Sequence, residues 1–356
     1  MANKPEDVIR DEIRALQPYH VPDSSGMVKL DAMENPYLLP KEVRERIGAL
    51  VAGAEINRYP DAAATRLKQR LAEMLGLPQG MELVLGNGSD EIIQMLMLAV
   101  ARPGATVVGV EPAFVMFRLI AAFCGLRFVG VPLRADFSLD PERLVAAIRE
   151  HQPALVFIAY PNNPTGNLFD DEAIGRVIDA APGIVVIDEA YHAFAGRTYV
   201  QKLGQHPNLL VMRTLSKSGL AGLRLGLIAG PGEWLQHVEK VRLPYNVGVL
   251  TQLVAEEALQ HGELLDAQAA AIRSERSRLY AELEREPRTT PYPSDANFIL
   301  FRTGEAQRTF EGLKARGVLI KNLHGSHPAL AGCLRVTLGT REENDRFLGA
   351  LKESLA

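Results

Sequence analysis

Between residues 81 and 230 the chain repeats one pattern: a short, nearly unbroken run of Val, Ile and Leu, then a longer stretch with helical spacing. The runs fall at 83–85, 106–110, 154–160, 184–187, 209–213 and 225–229. A strand with one wet face alternates apolar and polar residues, so continuous runs predict strands covered on both faces. The stretches at 90–101, 141–150 and 171–180 read as helices. Strands alternating with helices predict βαβ units and an α/β fold, a mostly parallel central sheet with helices on both faces. In such a sheet, ligands bind beyond the carboxyl ends of the strands.

After residue 247 the texture changes to a long helical stretch reaching 286, with a break near Gly262. Strand-like segments at 297–302 and 334–338, a helix between them and a final helix from Arg341 suggest a smaller α+β domain. Pro18, Pro22, Pro36 and Pro40 make the N-terminal residues an extended arm, expected to lie against the small domain or a partner subunit. A chain of 356 residues has room for about two domains. The expected division is an arm with part of the small domain over 1–44, a large domain over 45–246 and a small domain over 247–356.

A net charge of −4 disfavours nucleic acid and membrane surfaces as partners. The N-terminus lacks a signal-peptide core, and the longest apolar run, 92–101, is interrupted by Gln94 and too short to span a bilayer. Cys124 and Cys333 are expected to be reduced core residues, and the location cytoplasmic. His324 and His327 have no metal-ligand spacing around them, so no metal is expected.

The residues with chemistry to offer sit where the strands should end. The first run leads into Gly86-Asn87-Gly88-Ser89-Asp90-Glu91 and then an apolar helix. Glycines allow close backbone approach to a ligand, and a capped helix start behind them suits a phosphate. Taken alone, an ordinary helix cap explains the motif equally well. The run at 154–160 leads to Pro161-Asn162-Asn163-Pro164-Thr165-Gly166, which by itself is a turn. The run at 184–187 meets Asp188-Glu189-Ala190-Tyr191. A carboxylate at a buried strand end is costly unless something pairs with it, and a protonated pyridine nitrogen is a suitable partner. Finally, 209–213 leads to Thr214-Leu215-Ser216-Lys217, followed by Gly222-Leu223-Arg224-Leu225-Gly226. A lone lysine there would usually be a plain surface residue. A phosphate cradle, an acid and an amine at three strand ends are together what pyridoxal 5′-phosphate (PLP) requires.

In this order, GNGSDE, PNNPTG, DEAY, TLSK and GLRLG resemble the fold-type I, aspartate-aminotransferase-like PLP enzymes over essentially the whole chain. Within that family the sequence is most similar to the histidinol-phosphate aminotransferase branch. The likeness lies in its compact length and in Arg14-Ala15-Leu16-Gln17-Pro18-Tyr19, Leu30-Asp31-Ala32-Met33-Glu34-Asn35-Pro36, Asn57-Arg58-Tyr59-Pro60-Asp61 and Cys333-Leu334-Arg335-Val336-Thr337-Leu338-Gly339.

The resemblance implies that the large domain binds PLP and that Lys217, Asp188 and Tyr191 form the catalytic set. Lys217 would carry the cofactor as a Schiff base and shuttle a proton between substrate Cα and cofactor C4′. Asp188 would keep the pyridine nitrogen protonated, and Asn163 and Tyr191 would hydrogen-bond the phenolic oxygen. Ser89, the Asp90 backbone N–H, Thr214, Ser216 and Arg224 would hold the phosphate, with the Asp90 side chain turned away because two anions repel. Tyr59 would reach the phosphate in the neighbouring subunit, giving a homodimer with shared active sites. Two departures stand out. Phe114 occupies the ring-stacking position where Tyr is frequent, which keeps stacking and loses a hydroxyl. Lys217 and Arg224 are seven positions apart, one fewer than in many relatives.

The implied reaction moves an amino group between L-histidinol phosphate and 2-oxoglutarate, giving imidazole-acetol phosphate and L-glutamate in histidine biosynthesis. Arg335 is the expected fork onto the substrate anion, with Tyr19 and Asn35 closing over the substrate. Two alternatives share the scaffold: an aromatic-amino-acid aminotransferase and a threonine-phosphate decarboxylase. A PLP-binding regulator would need an appended DNA-binding domain, and an NAD enzyme a Gly-x-Gly-x-x-Gly after the first strand; neither is expected.

Overall fold

A computed structural model describes residues 4–18 and 21–356. The arm contributes β1 (Val28–Lys29). Seven strands follow: β2 (Met81–Asn87), β3 (Thr106–Glu111), β4 (Arg127–Pro132), β5 (Leu155–Ala159), β6 (Ile184–Asp188), β7 (Leu209–Thr214) and β8 (Leu225–Pro231). They form one sheet in the order β2-β8-β7-β6-β5-β3-β4. Pairing is parallel from β4 through β7, and β8 runs antiparallel to both β7 and β2. Each apolar run forms the body of a strand in a mostly parallel α/β sheet.

Every residue of β5, β6 and β7 is buried. Successive side chains point to opposite faces, so one continuous apolar run serves two cores. Val156, Ile158, Val185, Ile187 and Val211 join one core, under helices Thr65–Leu75, Pro141–His151 and Asp171–Ala180. Leu155, Phe157, Ile184, Val186, Leu210 and Met212 join the other, under Ser89–Val100, Met116–Phe123 and Gly232–Glu239. Two of these helices begin at aspartate caps: Asp140 accepts from the Arg143 N–H at 3.2 Å and Asp170 from the Ala173 N–H at 2.9 Å. Strand β4 escaped the sequence reading. Arg127, Gly130 and Pro132 interrupt its apolar residues, and as an edge strand it buries only Val131.

The C-terminal part holds β9 (Thr289–Pro291), β10 (Phe298–Thr303), β11 (Val318–Leu319), β12 (Lys321–Asn322) and β13 (Cys333–Thr337). All but β11 form an antiparallel sheet ordered β12-β13-β10-β9. Its core is shared with helices Gly262–Arg285, Ala306–Ala315 and Arg341–Leu355. Strand β11 pairs in parallel with β1, which stitches the arm to this unit. Helix Val249–Ala258 lies beyond the expected boundary at 246, yet Ala255 and Ala258 are buried in the large-sheet core.

One buried ion pair braces the strand ends. Arg213 on β7 reaches Glu189, just past β6, with Nη2 2.8 Å from Oε2, and side-chain exposures of 8% and 0%. Thr198 donates its hydroxyl to Glu189 at 2.9 Å, and the Tyr199 N–H donates to the other carboxylate oxygen. Removing one member strands a buried charge, which costs about 3–5 kcal/mol. Arg213→Met should therefore lower the urea midpoint sharply, and adding Glu189→Leu should recover most of the loss. A single variant as stable as the parent would show that the pair braces nothing.

Candidate active site

Strands β2, β3, β5, β6 and β7 run the same way, so their carboxyl ends open on one side of the sheet. A cavity with about 550 Å³ of empty space lies there. Its lining includes Ser89, Asp90, Phe114, Asn163, Asp188, Tyr191, Thr214, Ser216, Lys217 and Arg224. Every sequence-proposed cofactor contact except Tyr59 thus meets in one place.

At one end lies an anion cradle. Helix Ser89–Val100 points its N-terminal N–H groups into it, where backbone partial charge is positive. Glycine is required on both sides. A Cβ on Gly88 (φ +86°) would sit 2.6 Å from Arg224 Nη2, and one on Gly226 would sit 2.6 Å from the Ser89 nitrogen. Arg224 itself takes left-handed backbone angles (φ +47°). Its Nη1 lies 3.4 Å from Ser216 Oγ, which receives the Thr214 hydroxyl at 2.9 Å. Asp90, expected to turn away, faces the same guanidinium, with Oδ2 3.6 Å from Arg224 Nη2. Burial raises its pKa, against the pull of Arg224 and Lys217.

Deeper in, Asp188 ends β6 and is buried. Its Oδ1 accepts the Ala190 N–H at 3.0 Å. Burial pushes its pKa up to about 7, reinforced by Asp90 and Glu189 and opposed by the Ala190 N–H and Lys217. Lys217 donates from Nζ to the Ala32 carbonyl at 3.0 Å. Burial, then the Arg335 charge, lower its pKa to about 8, so much of it is neutral amine in mildly alkaline solution. Such an amine is a nucleophile and a proton carrier.

Along one wall, Asn163 donates to the Tyr191 hydroxyl at 3.1 Å and accepts from Arg335 Nη1. Burial raises the Tyr191 pKa, so the phenol keeps its proton. Arg335 lies within β13, inside the strand-like segment expected at 334–338. Its Nη2 donates to the Asp31 carbonyl at 3.0 Å, and the guanidinium lies 5.2 Å from the Phe298 ring centre.

A larger cavity, with about 1690 Å³ of empty space including open solvent, adjoins the first and shares Met33, Asp90, Phe114 and Lys217 with it. Arg335, Lys321 and Asp31 line it, with Pro18 and Val21 of the arm. Tyr19 lies outside the described residues. Asn35 lines neither cavity: its Oδ1 accepts from the Tyr37 N–H at 2.9 Å and its Nδ2 donates to Gln268 at 3.0 Å. The amide thus ties the arm to the long helix. Tyr59 is 80% exposed and stacked on Tyr245 at 4.4 Å, away from this chain's cavity. Sequence reasoning missed Lys321, which resembles any surface lysine, and the Ala32 carbonyl, a backbone atom without a sequence signal.

The residues present fit PLP on two structural counts. Gly88 and Gly226 let the helix start, the Arg224 guanidinium and β8 close around one anion cradle, where a Cβ would collide with them. The buried Asp188 carboxyl has a single N–H donor among the described residues, which suits it to a cation such as the pyridinium nitrogen.

The family model for aminotransferase class I and II matches residues 25–351. Histidinol-phosphate aminotransferase 2 of Cupriavidus pinatubonensis is 54% identical over 98% of this chain and 97% of that protein. Histidinol-phosphate aminotransferase 1 of Ralstonia nicotianae is 51% identical over 98% and 94%, respectively. Among solved structures, histidinol-phosphate aminotransferase from Sinorhizobium meliloti in complex with pyridoxal-5′-phosphate superposes with a TM-score of 0.88. It has 26% identity and covers 98% of this chain and 97% of that one.

The high pKa of Asp188 has a consequence for stability. From the ordinary carboxylate range up to about 7, the unfolded carboxyl has lost its proton while the folded one keeps it. The unfolded state then binds fewer protons, so stability falls as pH rises through that window. Asp188→Asn removes the penalty. The cofactor-free variant should melt higher than wild type at pH 8, with the gap closing near pH 4. A gap independent of pH in calorimetry would contradict this.

Proposed function

This chain belongs to the class I and II aminotransferases, and from that membership we propose that it transfers the amino group of L-histidinol phosphate to 2-oxoglutarate. The cofactor is PLP, and the products are imidazole-acetol phosphate and L-glutamate. The substrate choice is carried by the histidinol-phosphate aminotransferases that share about half their residues with this chain over nearly its full length. The chemistry is supported by the meeting of the Lys217 amine, the buried Asp188 carboxyl and the anion cradle in one cavity.

PLP supplies a carbonyl carbon that takes the substrate amine and a ring that accepts the electron pair left at Cα. Asp188 holds the ring nitrogen in its protonated form. Asn163 and Tyr191 hydrogen-bond the ring oxygen, and Phe114 supplies an apolar ring wall. Ser89, the Asp90 N–H, Thr214, Ser216 and Arg224 hold the phosphate. Lys217 anchors the cofactor and moves the proton at Nζ. Arg335 binds the substrate anion, because one planar guanidinium can fork onto glutamate's carboxylate or the phosphate ester. We assign the working protein to the cytoplasm as a homodimer with two shared sites, Tyr59 of each subunit reaching the neighbour's phosphate cradle. Its exposed, stacked ring supports that reading.

Three experiments test the proposal. Purified protein given histidinol phosphate and 2-oxoglutarate should produce glutamate, and Lys217→Ala should abolish it. Carbon dioxide release from threonine phosphate, or faster turnover of aromatic donors than of histidinol phosphate, would overturn the substrate assignment. Second, Arg335→Lys keeps the charge and loses the fork, so both half-reactions should weaken about tenfold to a hundredfold, from about 1.5–3 kcal/mol per charge-assisted contact. Damage confined to glutamate in stopped-flow absorbance would assign the phosphate to another residue. Third, mixing inactive Tyr59→Ala and Lys217→Ala chains should restore activity, because some mixed dimers hold one intact site. Mixed dimers without activity would place the whole site within one chain.

A further inference from the structure

Met33 has φ +54°, in the left-handed region that residues with a Cβ rarely enter. A residue stays there only where its surroundings fix it. Its N–H donates to Thr337 Oγ1 at 3.0 Å, and its carbonyl accepts from Asn297 Nδ2 at 2.9 Å. Both partners are buried, Thr337 at the end of β13 and Asn297 just before β10. Leu30 is tied to the same unit: its N–H donates to the Leu319 carbonyl at 2.8 Å, and its carbonyl accepts the Thr337 N–H at 2.9 Å. Between these ties, two successive carbonyls serve the active site. Asp31 O accepts from Arg335 Nη2 and Ala32 O from Lys217 Nζ, each at 3.0 Å.

We propose that the Met33 turn, locked by Thr337 and Asn297, is a positioning device for the Lys217 amine, setting the Ala32 carbonyl as the acceptor that aims Nζ. This rests on the role proposed above for Lys217. One N–H committed to a carbonyl fixes one substituent direction at Nζ, and so limits where the lone pair and remaining protons point. The same bond is stronger when Nζ is charged, so it favours the ammonium and opposes the effect of burial. The turn lines both cavities through Met33, and Asp31 and Ala32 line the outer one. Thr337 and Asn297 neither bond Nζ nor line either cavity themselves; they act through the backbone of Met33 and the peptide that joins it to Ala32.

The amine's charged surroundings come from every element around it. Arg335 faces it from β13, Glu34 from the arm, Arg224 from the loop before β8, Asp90 from helix Ser89–Val100 and Asp188 from β6. Thr337→Val changes none of these charges. It removes the acceptor of a buried N–H, and the strained turn relaxes toward ordinary φ, carrying the Ala32 carbonyl off Nζ.

The test follows capture of added PLP by the cofactor-free full-length chain, read by stopped-flow absorbance across pH. Only the neutral amine adds to the aldehyde, so the rate profile titrates Nζ, and the ionisations of PLP are common to all variants. In Thr337→Val the midpoint should fall by about half to one pH unit, because the ammonium has lost its acceptor. The kcat should drop about tenfold with KM little changed, since the amine is misaimed and substrate binding is not. Thr337→Ser keeps the hydroxyl and should behave as wild type. Adding Met33→Gly to Thr337→Val should move the midpoint back, because glycine holds φ +54° without strain. A wild-type midpoint and kcat in Thr337→Val would overturn the inference. So would a shift that neither the serine variant nor the glycine reverses. Wild type that captures no PLP at Lys217 would overturn the functional reading and this inference together.

Discussion

Burial of β5, β6 and β7 on both faces is the constraint from which the rest of the molecule follows. Strands without a wet face can carry polar side chains only at their ends, and parallel pairing puts those ends together. Asn163, Asp188 and Lys217 come from three successive strand-loop junctions, far apart in sequence, and line one cavity. The antiparallel β8 adds to this geometry. It returns from the lysine loop beside β2, so Gly226 passes against Gly88 and the helix start at Ser89. Loop, strand and helix start therefore build the anion cradle as one piece.

Two adjacent acids show how the same chemistry serves two purposes. Asp188 and Glu189 follow each other at the end of β6, and both are buried. Glu189 turns to Arg213, Thr198 and the Tyr199 N–H, and is fully satisfied within the protein. Asp188 turns to the cavity and, among the described residues, receives only the Ala190 N–H. The difference separates a brace from a functional group. A charge compensated by the fold contributes to the fold, whereas a charge left for a ligand burdens the fold until the ligand arrives.

The large sheet was readable because its signal is local and repeated. Helix 171–180 was located to the residue, since Asp170 caps it and its apolar spacing is regular. Strand β4 was not, because an edge strand is half wet and need not be apolar. The residues that meet in the cavity were readable because loop motifs directly after buried strands have one place to go. Arm residues were harder. Asn35 was assigned to substrate, yet its amide is committed to Tyr37 and Gln268, partners that no local pattern predicts. Lys321 and the Ala32 carbonyl went unseen because their significance comes from tertiary contacts: Lys321 sits opposite Arg335 across β12 and β13, and Ala32 meets Lys217 across 185 positions.

The arm also explains how two units act as one site. Its β1 adds to β11, and its next residues lie across the mouth of the large-sheet cavity. Arg335 belongs to the small sheet and Lys217 to the large one, yet each donates to a neighbouring carbonyl of the same arm segment. Arg335 also reaches Asn163 on the large-sheet side, and Asn163 reaches Tyr191. On the proposed roles, a substrate anion drawn to Arg335 would bear on a group already bonded to the arm carbonyl beside the amine's acceptor and to the Asn163–Tyr191 pair. Hydrogen bonds and the short backbone stretch from Asp31 to Ala32 therefore join the outer cavity to the inner one, which is the physical form that the proposed coupling between substrate recognition and proton transfer requires.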